Sequence, residues 1–382
     1  MNKKIVFWII AAIITVLLPL MSLDSGVSGD EDAWQYPHAE RIYNYYATFG
    51  ADTTYKTVPE MNPYGMWFEV VGVAIIKMFK IDDYHTTRHL MNALMGVVAI
   101  LFAGLFAKNC VKSWRAGTFV LILLFLSPHF LGHSFNNPKD IPFAAMFMVS
   151  LYFIHKFISE YPKFSIKTSI LLALSLGLTV GVRVGGLLLY AYFGMFVACF
   201  FLFTNKPREY FSKTNRKILI KLFYYFLGII LGAFLVTIVV WPYIMSNPIG
   251  NTIQAFKDLS HYSIGIRQLF EGSLQWSDML PWYYTPKLIL MTIPIAIILG
   301  LLCFFVFLWK DKKNQFNYFI VFFAFFFPIF WIVYSGANVY GGWRHSLFAY
   351  PPMVVAAGLG FNLAIEWVLK KVVGNSENPQ KT

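Results

Sequence analysis

Apolar runs of about 20 residues recur along the whole of this 382-residue chain, and each is long enough to cross the hydrocarbon core of a bilayer. Hydrophobic residues make up 58% of the sequence and charged residues 13%. A soluble domain has about 25% charged residues, so the composition excludes a soluble enzyme. The sequence predicts an all-α fold, a polytopic membrane helical bundle over residues 1–372, followed by a disordered cytoplasmic tail over residues 373–382.

The apolar runs predict about ten transmembrane helices. With ten, every short loop that is dense in Lys and Arg falls on one side of the membrane, which the positive-inside rule makes the cytoplasmic side. Topology therefore explains the formal net charge of +12, and no nucleic-acid partner is needed. We expect the helices at residues 5–22, 88–107, 116–131, 141–158, 168–182, 187–204, 222–240, 287–309, 317–334 and 347–369.

The first outer loop, residues 23–66, concentrates negative charge directly after a span. Its stretch Gly29–His38 contains three adjacent carboxylates, Asp30, Glu31 and Asp32. A carboxylate beside apolar surface can have a raised pKa and serve as a general base. The alternative is a solvated loop, and we keep that interpretation for Asp32. Aromatic residues at helical spacing predict two amphipathic interfacial helices, over residues 33–49 and 64–79.

A second polar loop on the same side has the sequence Asn136-Asn-Pro-Lys-Asp140. Asn137 and Pro138 predict a tight turn. Lys139 could hold a phosphate as a point charge. Asp140 is either the N-cap of the next helix or a second acid of the site.

Two more outer segments supply cations. Arg183 lies between two apolar runs, where an arginine needs a partner or must snorkel to the interface. Arg344 and His345 follow a glycine pair and a tryptophan, a pattern that favours a phosphate clamp. Snorkelling is the rival explanation here as well. The topology predicts that these cations share one face of the membrane with the acidic loop.

Motifs for a bound metal or nucleotide are scarce. His129 and His133 lie one helical turn apart and could bind a metal, but no carboxylate accompanies them in the sequence. There is no P-loop, no GxGxxG after a strand, no nucleophile elbow and no HExxH. A nucleotide bound on the cytoplasmic side is therefore not expected.

The order of three motifs along nearly the whole chain resembles a known class of membrane enzyme. The outer loop opens with Asp30-Glu31, Arg88 begins the second span in Thr-Arg-His-Leu-Met-Asn-Ala-Leu, and a late span opens with Arg344-His-Ser-Leu-Phe-Ala-Tyr-Pro-Pro352. This pattern is similar to the integral-membrane glycosyltransferases of the GT-C fold, and within them to bacterial family 39 enzymes related to protein O-mannosyltransferases and aminoarabinose transferases.

The resemblance implies a donor sugar on a polyprenyl phosphate and, as acceptor, a hydroxyl or amine of a glycan, lipid or protein. It implies that Asp30 is the general base, that Glu31 assists, and that transfer proceeds with inversion. It further implies a multi-pass protein of the bacterial inner (cytoplasmic) membrane with its site on the periplasmic side. Acids and phosphate in one site would also be compatible with a divalent cation. The leaving phosphate would be held by Lys139, Arg344, His345, Arg183 and Arg88.

Two alternatives belong to other functional classes. A transporter or flippase of a lipid-linked glycan would show inverted repeats and broken helices near the midplane. We find no two-fold repeat in the sequence, and the polar residues gather at one face. A non-catalytic membrane scaffold would have no need to collect Asp30, Lys139 and Arg344 on one side.

Overall fold

The computed structural model describes residues 2–203, 213–260 and 265–376. It is a helical bundle, so the predicted all-α membrane fold is confirmed, with one small β-hairpin added. The elements are α1 Lys3–Ser22, α2 Tyr36–Ala47, α3 Trp67–Phe79, α4 Tyr84–Val111, α5 Trp114–Phe125, α6 Pro128–Asn136, α7 Asp140–Ser159, α8 Ile166–Val182, α9 Leu187–Phe203, α10 Lys213–Val240, α11 Pro242–Ser246, α12 Pro248–Ser260, β1 Arg267–Phe270, β2 Ser273–Trp276, α13 Tyr284–Thr292, α14 Ile295–Phe307, α15 Gln315–Tyr334 and α16 Tyr350–Ser376.

Seven helices in the described part of the chain are long and apolar enough to cross a membrane, or up to nine if two bent pairs each form one span. The seven are α1, α4, α7, α9, α10, α15 and α16. The remaining predicted span, over residues 168–182, corresponds to α8, which has 17 residues and is therefore about 25 Å long. A bilayer core is about 30 Å thick, so α8 is short for a complete span.

Two predicted single helices are in fact broken, and proline is the cause in both. The helix expected over residues 116–131 divides at Pro128, with a bend of 68° between α5 and α6. The helix expected over residues 287–309 divides at Pro294, with a bend of 110° between α13 and α14. The residue before each proline is extended, Ser127 at ψ 105° and Ile293 at ψ 145°, because the proline ring disfavours helical backbone there.

Helix α7 lies at the centre of the bundle, and nearly all of its residues are buried. It packs between α4 and α8, and α16 packs against α14, α5 and α15. Small residues let these helices approach closely, as is usual for helix contacts in lipid. At one crossing, a Cβ added to Gly360 on α16 would overlap the carbonyl oxygen of Gly300 on α14.

The expected interfacial helices are α2 and α3, and they are fastened to the ends of the bundle helices. The indole of Trp67 donates to the carbonyl of Leu178 (2.8 Å), and the indole of Trp241 donates to the carbonyl of Asn62 (3.1 Å). The hydroxyl of Tyr46 donates to the carbonyl of Val239 (2.7 Å). Two of these bonds end on carbonyls near the ends of α8 and α10, and the third joins Trp241, which follows α10, to the first loop. Together they hold the first loop against the bundle.

Two other regions differ in detail from the sequence expectation. The polar stretch 241–286 contains α11, α12, the hairpin of β1 and β2, and the start of α13. The last helix continues to Ser376, inside the stretch expected to be disordered. Residues 377–382 of that tail lie outside the described residues, and so do residues 204–212, at the start of the basic segment between the helices expected over residues 187–204 and 222–240.

The contact of α14 with α16 gives a testable prediction. Gly360→Ala should lower the free energy of unfolding by about 1 to 3 kcal/mol, because the new methyl group must displace a neighbouring backbone. Gly228→Ala is the matched control, since an added Cβ at Gly228 in α10 meets no atom within 4 Å. Unfolding in detergent should separate the two variants. Equal stability of both would contradict the close crossing.

Candidate active site

Four polar segments that are far apart in the sequence meet at one end of the bundle, which we call the acid end. Arg344 Nη1 lies 3.1 Å from Asp30 Oδ2, and Arg183 Nη2 lies 2.6 Å from Asp140 Oδ1. Lys139 interacts electrostatically with all four of these groups. These residues therefore lie together at one end of the bundle, as the predicted topology required. Their chemical roles stay predictions.

Asp30 and Arg344 form the open part of the acid end. The Asp30 side chain is 50% exposed, and that of Arg344 is 26% exposed. The Arg344 guanidinium also lies over the Tyr340 ring, 5.0 Å from its centroid. Gly341 and Gly342 both have left-handed backbone, with φ of 64° and 73°. That turn folds the arginine back toward the acidic loop.

Asp140 is the buried acid of the site. It is the first residue of α7, and its side chain faces Arg183. Asn137 brackets it: the amide Nδ2 donates to Asp140 Oδ2 (3.0 Å), and Oδ1 accepts from the Asp140 backbone N–H (3.0 Å). The interpretation of Asp140 as an N-cap is wrong, because Lys139 occupies the cap position and the side chain that binds a backbone N–H at the helix start is that of Asn137. The partner expected for Arg183 is thus Asp140.

Lys139 interacts electrostatically with both of these ion pairs. Its ammonium is 3.5 Å from the centroid of the Tyr64 ring. Burial lowers the pKa of Lys139 to about 7, and the positive charge of Arg183 adds to the effect while Asp140 opposes it. Burial also raises the pKa of Tyr64. When Lys139 is protonated, the acid end has three cations (Lys139, Arg183 and Arg344) and two carboxylates. It therefore carries an excess of one positive charge, which one further anion would compensate.

Glu31 lies in a different environment from its neighbour Asp30. Its side chain is fully buried, and Oε2 accepts from the backbone N–H of Ser28 (2.7 Å). His89 Nε2 is 3.2 Å from Oε1, and Arg88 Nη1 is 3.8 Å from it. A fully enclosed carboxylate cannot touch a substrate, so its position favours a structural contribution.

Arg88 also belongs to this buried cluster. Its Nε donates to Glu69 Oε2 (3.0 Å), and its side chain is 2% exposed. Burial raises the pKa of Glu69, and the Arg88 charge opposes that shift. Arg88 is therefore paired with carboxylates of α3 and of the acidic loop, whereas Arg183 and Arg344 pair with Asp140 and Asp30.

The histidines at the acid end make aromatic contacts. His345 packs edge-on against Tyr340, with ring centroids 4.7 Å apart. His129 stacks on Trp343 at 4.0 Å, and Asn137 Nδ2 lies 3.0 Å from His133 Nδ1. Within residues 2–203, 213–260 and 265–376, no group of three or more His, Cys, Asp and Glu side chains could hold one metal ion.

Several residues of the acid end were not foreseen as site residues. Glu69 had a signal in the sequence, because a lone acid in an apolar amphipathic helix needs a buried partner. His89 follows Arg88 in the motif Thr-Arg-His-Leu-Met-Asn-Ala-Leu, and both side chains face the carboxylate of Glu31. Tyr64 had no signal, because its contact with Lys139 depends on the path of its loop.

Comparison with known proteins gives a clear result for the fold. A crystal structure of ArnT from Cupriavidus metallidurans bound to undecaprenyl phosphate superposes with a TM-score of 0.60 at 16% identity, over 95% of this chain and 61% of that one. The chain shares the fold of ArnT. A second ArnT structure from the same organism, in the apo state, gives a TM-score of 0.59 at 15% identity, over 98% and 63%.

The likeness to ArnT, a family-39-like aminoarabinose transferase, confirms the predicted GT-C resemblance at the level of the fold. The chain spans about three-fifths of the length of the ArnT structures. No curated protein sequence matches it. A family model described as FixS, cytochrome oxidase maturation protein cbb3-type, matches residues 288–317. That segment is mostly an apolar helix and a basic turn, so the match carries no functional argument.

The two neighbouring acids of the first loop should differ in their effect on stability. Glu31→Gln should lower the free energy of unfolding by about 3 kcal/mol, because it removes the buried charge that His89 and Arg88 face. Asp32→Asn is the control, since Asp32 is 51% exposed and exposed pairs contribute about 1 kcal/mol or less. Denaturant unfolding of purified protein would measure both. A Glu31→Gln variant as stable as Asp32→Asn would refute the structural assignment.

Proposed function

We propose that this protein is a glycosyltransferase that transfers a sugar from a polyprenyl-phosphate donor to a hydroxyl or amine of a glycan, lipid or protein acceptor. The observation that carries the proposal is the acid end itself, where an exposed carboxylate meets three cations with room for one more anion. The fold supports it, because a solved ArnT structure with that fold is bound to undecaprenyl phosphate.

The reaction is a single displacement. Asp30 takes the proton of the acceptor as the acceptor oxygen or nitrogen attacks the anomeric carbon. The bond from that carbon to the phosphate oxygen breaks, and the electron pair leaves with the polyprenyl phosphate. Attack from the side opposite the leaving group inverts the configuration at the anomeric carbon. Asp30 suits this role because it is the exposed acid of the pair Asp30 and Glu31.

The leaving phosphate gains negative charge during this step, and fixed cations stabilise that charge. Arg344 and Arg183 each present a guanidinium fork, which matches phosphate oxygens in two-point geometry. Lys139 adds a point charge between them. His345 follows Arg344 in the chain, and both side chains contact the Tyr340 ring.

Glu31 and Arg88 support the site without touching the reacting atoms. Glu31 holds the start of the acidic loop through the Ser28 N–H, and Arg88 ties that glutamate to Glu69 on α3. We assign both as positioning residues. Asn137 has the same function for Asp140.

A divalent cation is a poor fit for these residues. Asp30 and Asp140 are each paired with a guanidinium group, so their charges are already compensated. The donor set suits an anion better than a metal ion. No step of the proposed reaction runs through a metal.

We place the reaction at the outer face of the bacterial cytoplasmic membrane. The basic turns support this orientation. Lys310 and Lys371 both lie over Trp367 near the end of α16, and Lys108 lies over Trp114 at the start of α5. These ends point away from the acid end along the helices. The positive-inside rule makes them cytoplasmic.

Sugar transfer should depend on Asp30. In nanodiscs with a panel of polyprenyl-phosphate sugars and a cell-envelope extract as acceptor source, the wild-type protein should release polyprenyl phosphate. Asp30→Asn should lower that rate by a factor of about 100 or more, because the acceptor loses its base. Asp32→Asn is the matched control, with the same charge change at similar exposure, and should stay active.

The same assay separates the alternatives. A protein that only moves a lipid-linked glycan would leave the sugar-phosphate bond of every donor intact. Full activity of Asp30→Asn would remove Asp30 from the catalytic role. Equal loss in Asp30→Asn and Asp32→Asn would show that only the total charge of the loop matters.

The low pKa of Lys139 predicts a pH dependence of donor binding. Its pKa of about 7 means that the ammonium is charged below neutral pH and lost above it. The affinity for undecaprenyl phosphate should therefore fall as the pH rises above 7, by up to about tenfold per pH unit. Lys139→Arg should flatten that fall, because a guanidinium stays charged. The titration of the phosphate affects both proteins equally. Identical pH profiles would exclude Lys139 from the anion site.

A further inference from the structure

The segment between α12 and α13 contains a β-hairpin that had no assigned role. Strands β1 and β2 pair antiparallel, with Gln268 opposite Gln275 and Phe270 opposite Ser273. The two-residue turn is Glu271-Gly272, and both residues have positive φ, 51° and 79°. This is the turn geometry that matches the twist of paired strands. The register of the hairpin is therefore fixed by its turn.

The hairpin is anchored on the start of α13. Phe270 is 4% exposed and packs edge-on against Tyr284, with centroids 4.9 Å apart. Lys287 of the same helix pairs with Glu271, and the hydroxyl of Tyr283 donates to Glu271 (3.4 Å). Alternation along a strand puts Phe270 and Gln268 on one face. The anchored face is thus also the face that carries Gln268.

Gln268 reaches the loop of the phosphate clamp. The backbone N–H of Gly341 donates to Gln268 Oε1 (2.8 Å). Gly341 lies directly beneath Arg344, since a Cβ added there would be 3.0 Å from Arg344 Nε. One hydrogen bond therefore joins the hairpin to the residue on which the guanidinium rests.

We infer that Gln268 is a positioning residue that fixes the orientation of Arg344 through the Gly341 amide. This inference rests on the proposed function, in which Arg344 holds the donor phosphate. Two consecutive glycines give the turn before Arg344 wide conformational freedom. A cation that must be ordered at each binding event binds less tightly than one already in place. The Gln268 bond removes that freedom before the lipid arrives.

Undecaprenyl phosphate alone is the probe, and its binding to full-length protein in nanodiscs is the measurement. Gln268→Met keeps the length of the side chain but removes the acceptor oxygen. It should weaken binding about tenfold, as expected for one lost hydrogen bond that ordered a charged group. Gln275→Met is the matched control, because Gln275 lies on the same face with similar exposure, and among the described residues its side chain donates to Ser273 Oγ within the hairpin (3.0 Å).

A double-mutant cycle tests whether Gln268 acts through Arg344. Gln268→Met should have no further effect on binding in the Arg344→Ala background, whereas a general structural role would add to it. Additive losses, or an equal loss in Gln275→Met, would overturn the inference.

A second readout is independent of the lipid. Hydrogen exchange of the peptide that covers residues 335–349 should rise in Gln268→Met and stay unchanged in Gln275→Met. An unchanged peptide in Gln268→Met would overturn the inference even if the wild-type protein binds the lipid. Absence of binding by the wild-type protein would instead overturn the proposed function.

Discussion

The buried charge of Glu31 is the interaction on which the acid end depends. Burying an isolated carboxylate in apolar surroundings costs free energy, so Glu31 requires partners that compensate its charge. It has three partners in two segments: Ser28 in its own loop, and His89 and Arg88 at the start of α4. Arg88 in turn holds Glu69 on α3. One buried charge thereby fixes the acidic loop, the first turns of a central span and an interfacial helix relative to one another.

This arrangement also explains how two adjacent acids come to have different environments. Residues 31–35 form a π-helix that leads into α2, and Asp30 lies at its N-cap. The wider turn of a π-helix shifts side chains relative to an α-helix, and such turns are frequent at functional sites. Here Glu31 points into the bundle and Asp30 points toward Arg344. The buried acid holds the loop still, so the exposed acid has a defined position.

The sequence was enough to predict the fold and which residues lie at the acid end. Both follow from the position of each segment along the membrane normal. Span length and the side of the basic loops decide at which end each polar segment lies, which brought Asp30, Lys139, Arg183 and Arg344 together. The prolines at positions 128 and 294 were visible, but the decision between a kink and a full break depends on tertiary packing. The sequence contains no such signal for which helices lie next to one another around the bundle axis. For that reason the pairing of Arg183 with Asp140, the burial of Glu31 and the contact of Gln268 required the structure.

The short helix α8 connects the fold to the electrostatics of the site. It ends at Val182 after 17 residues, so Arg183 follows a helix about 5 Å shorter than a bilayer core. An arginine near that depth needs a carboxylate partner, and Asp140 at the start of α7 provides it. The resulting ion pair interacts with Lys139, whose pKa is lowered by burial and by the Arg183 charge while Asp140 opposes the shift. A phosphate bound beside Lys139 and Arg344 would compensate the excess positive charge of the site. The neighbouring positive charges that help to lower the pKa of Lys139 therefore also favour an anionic ligand.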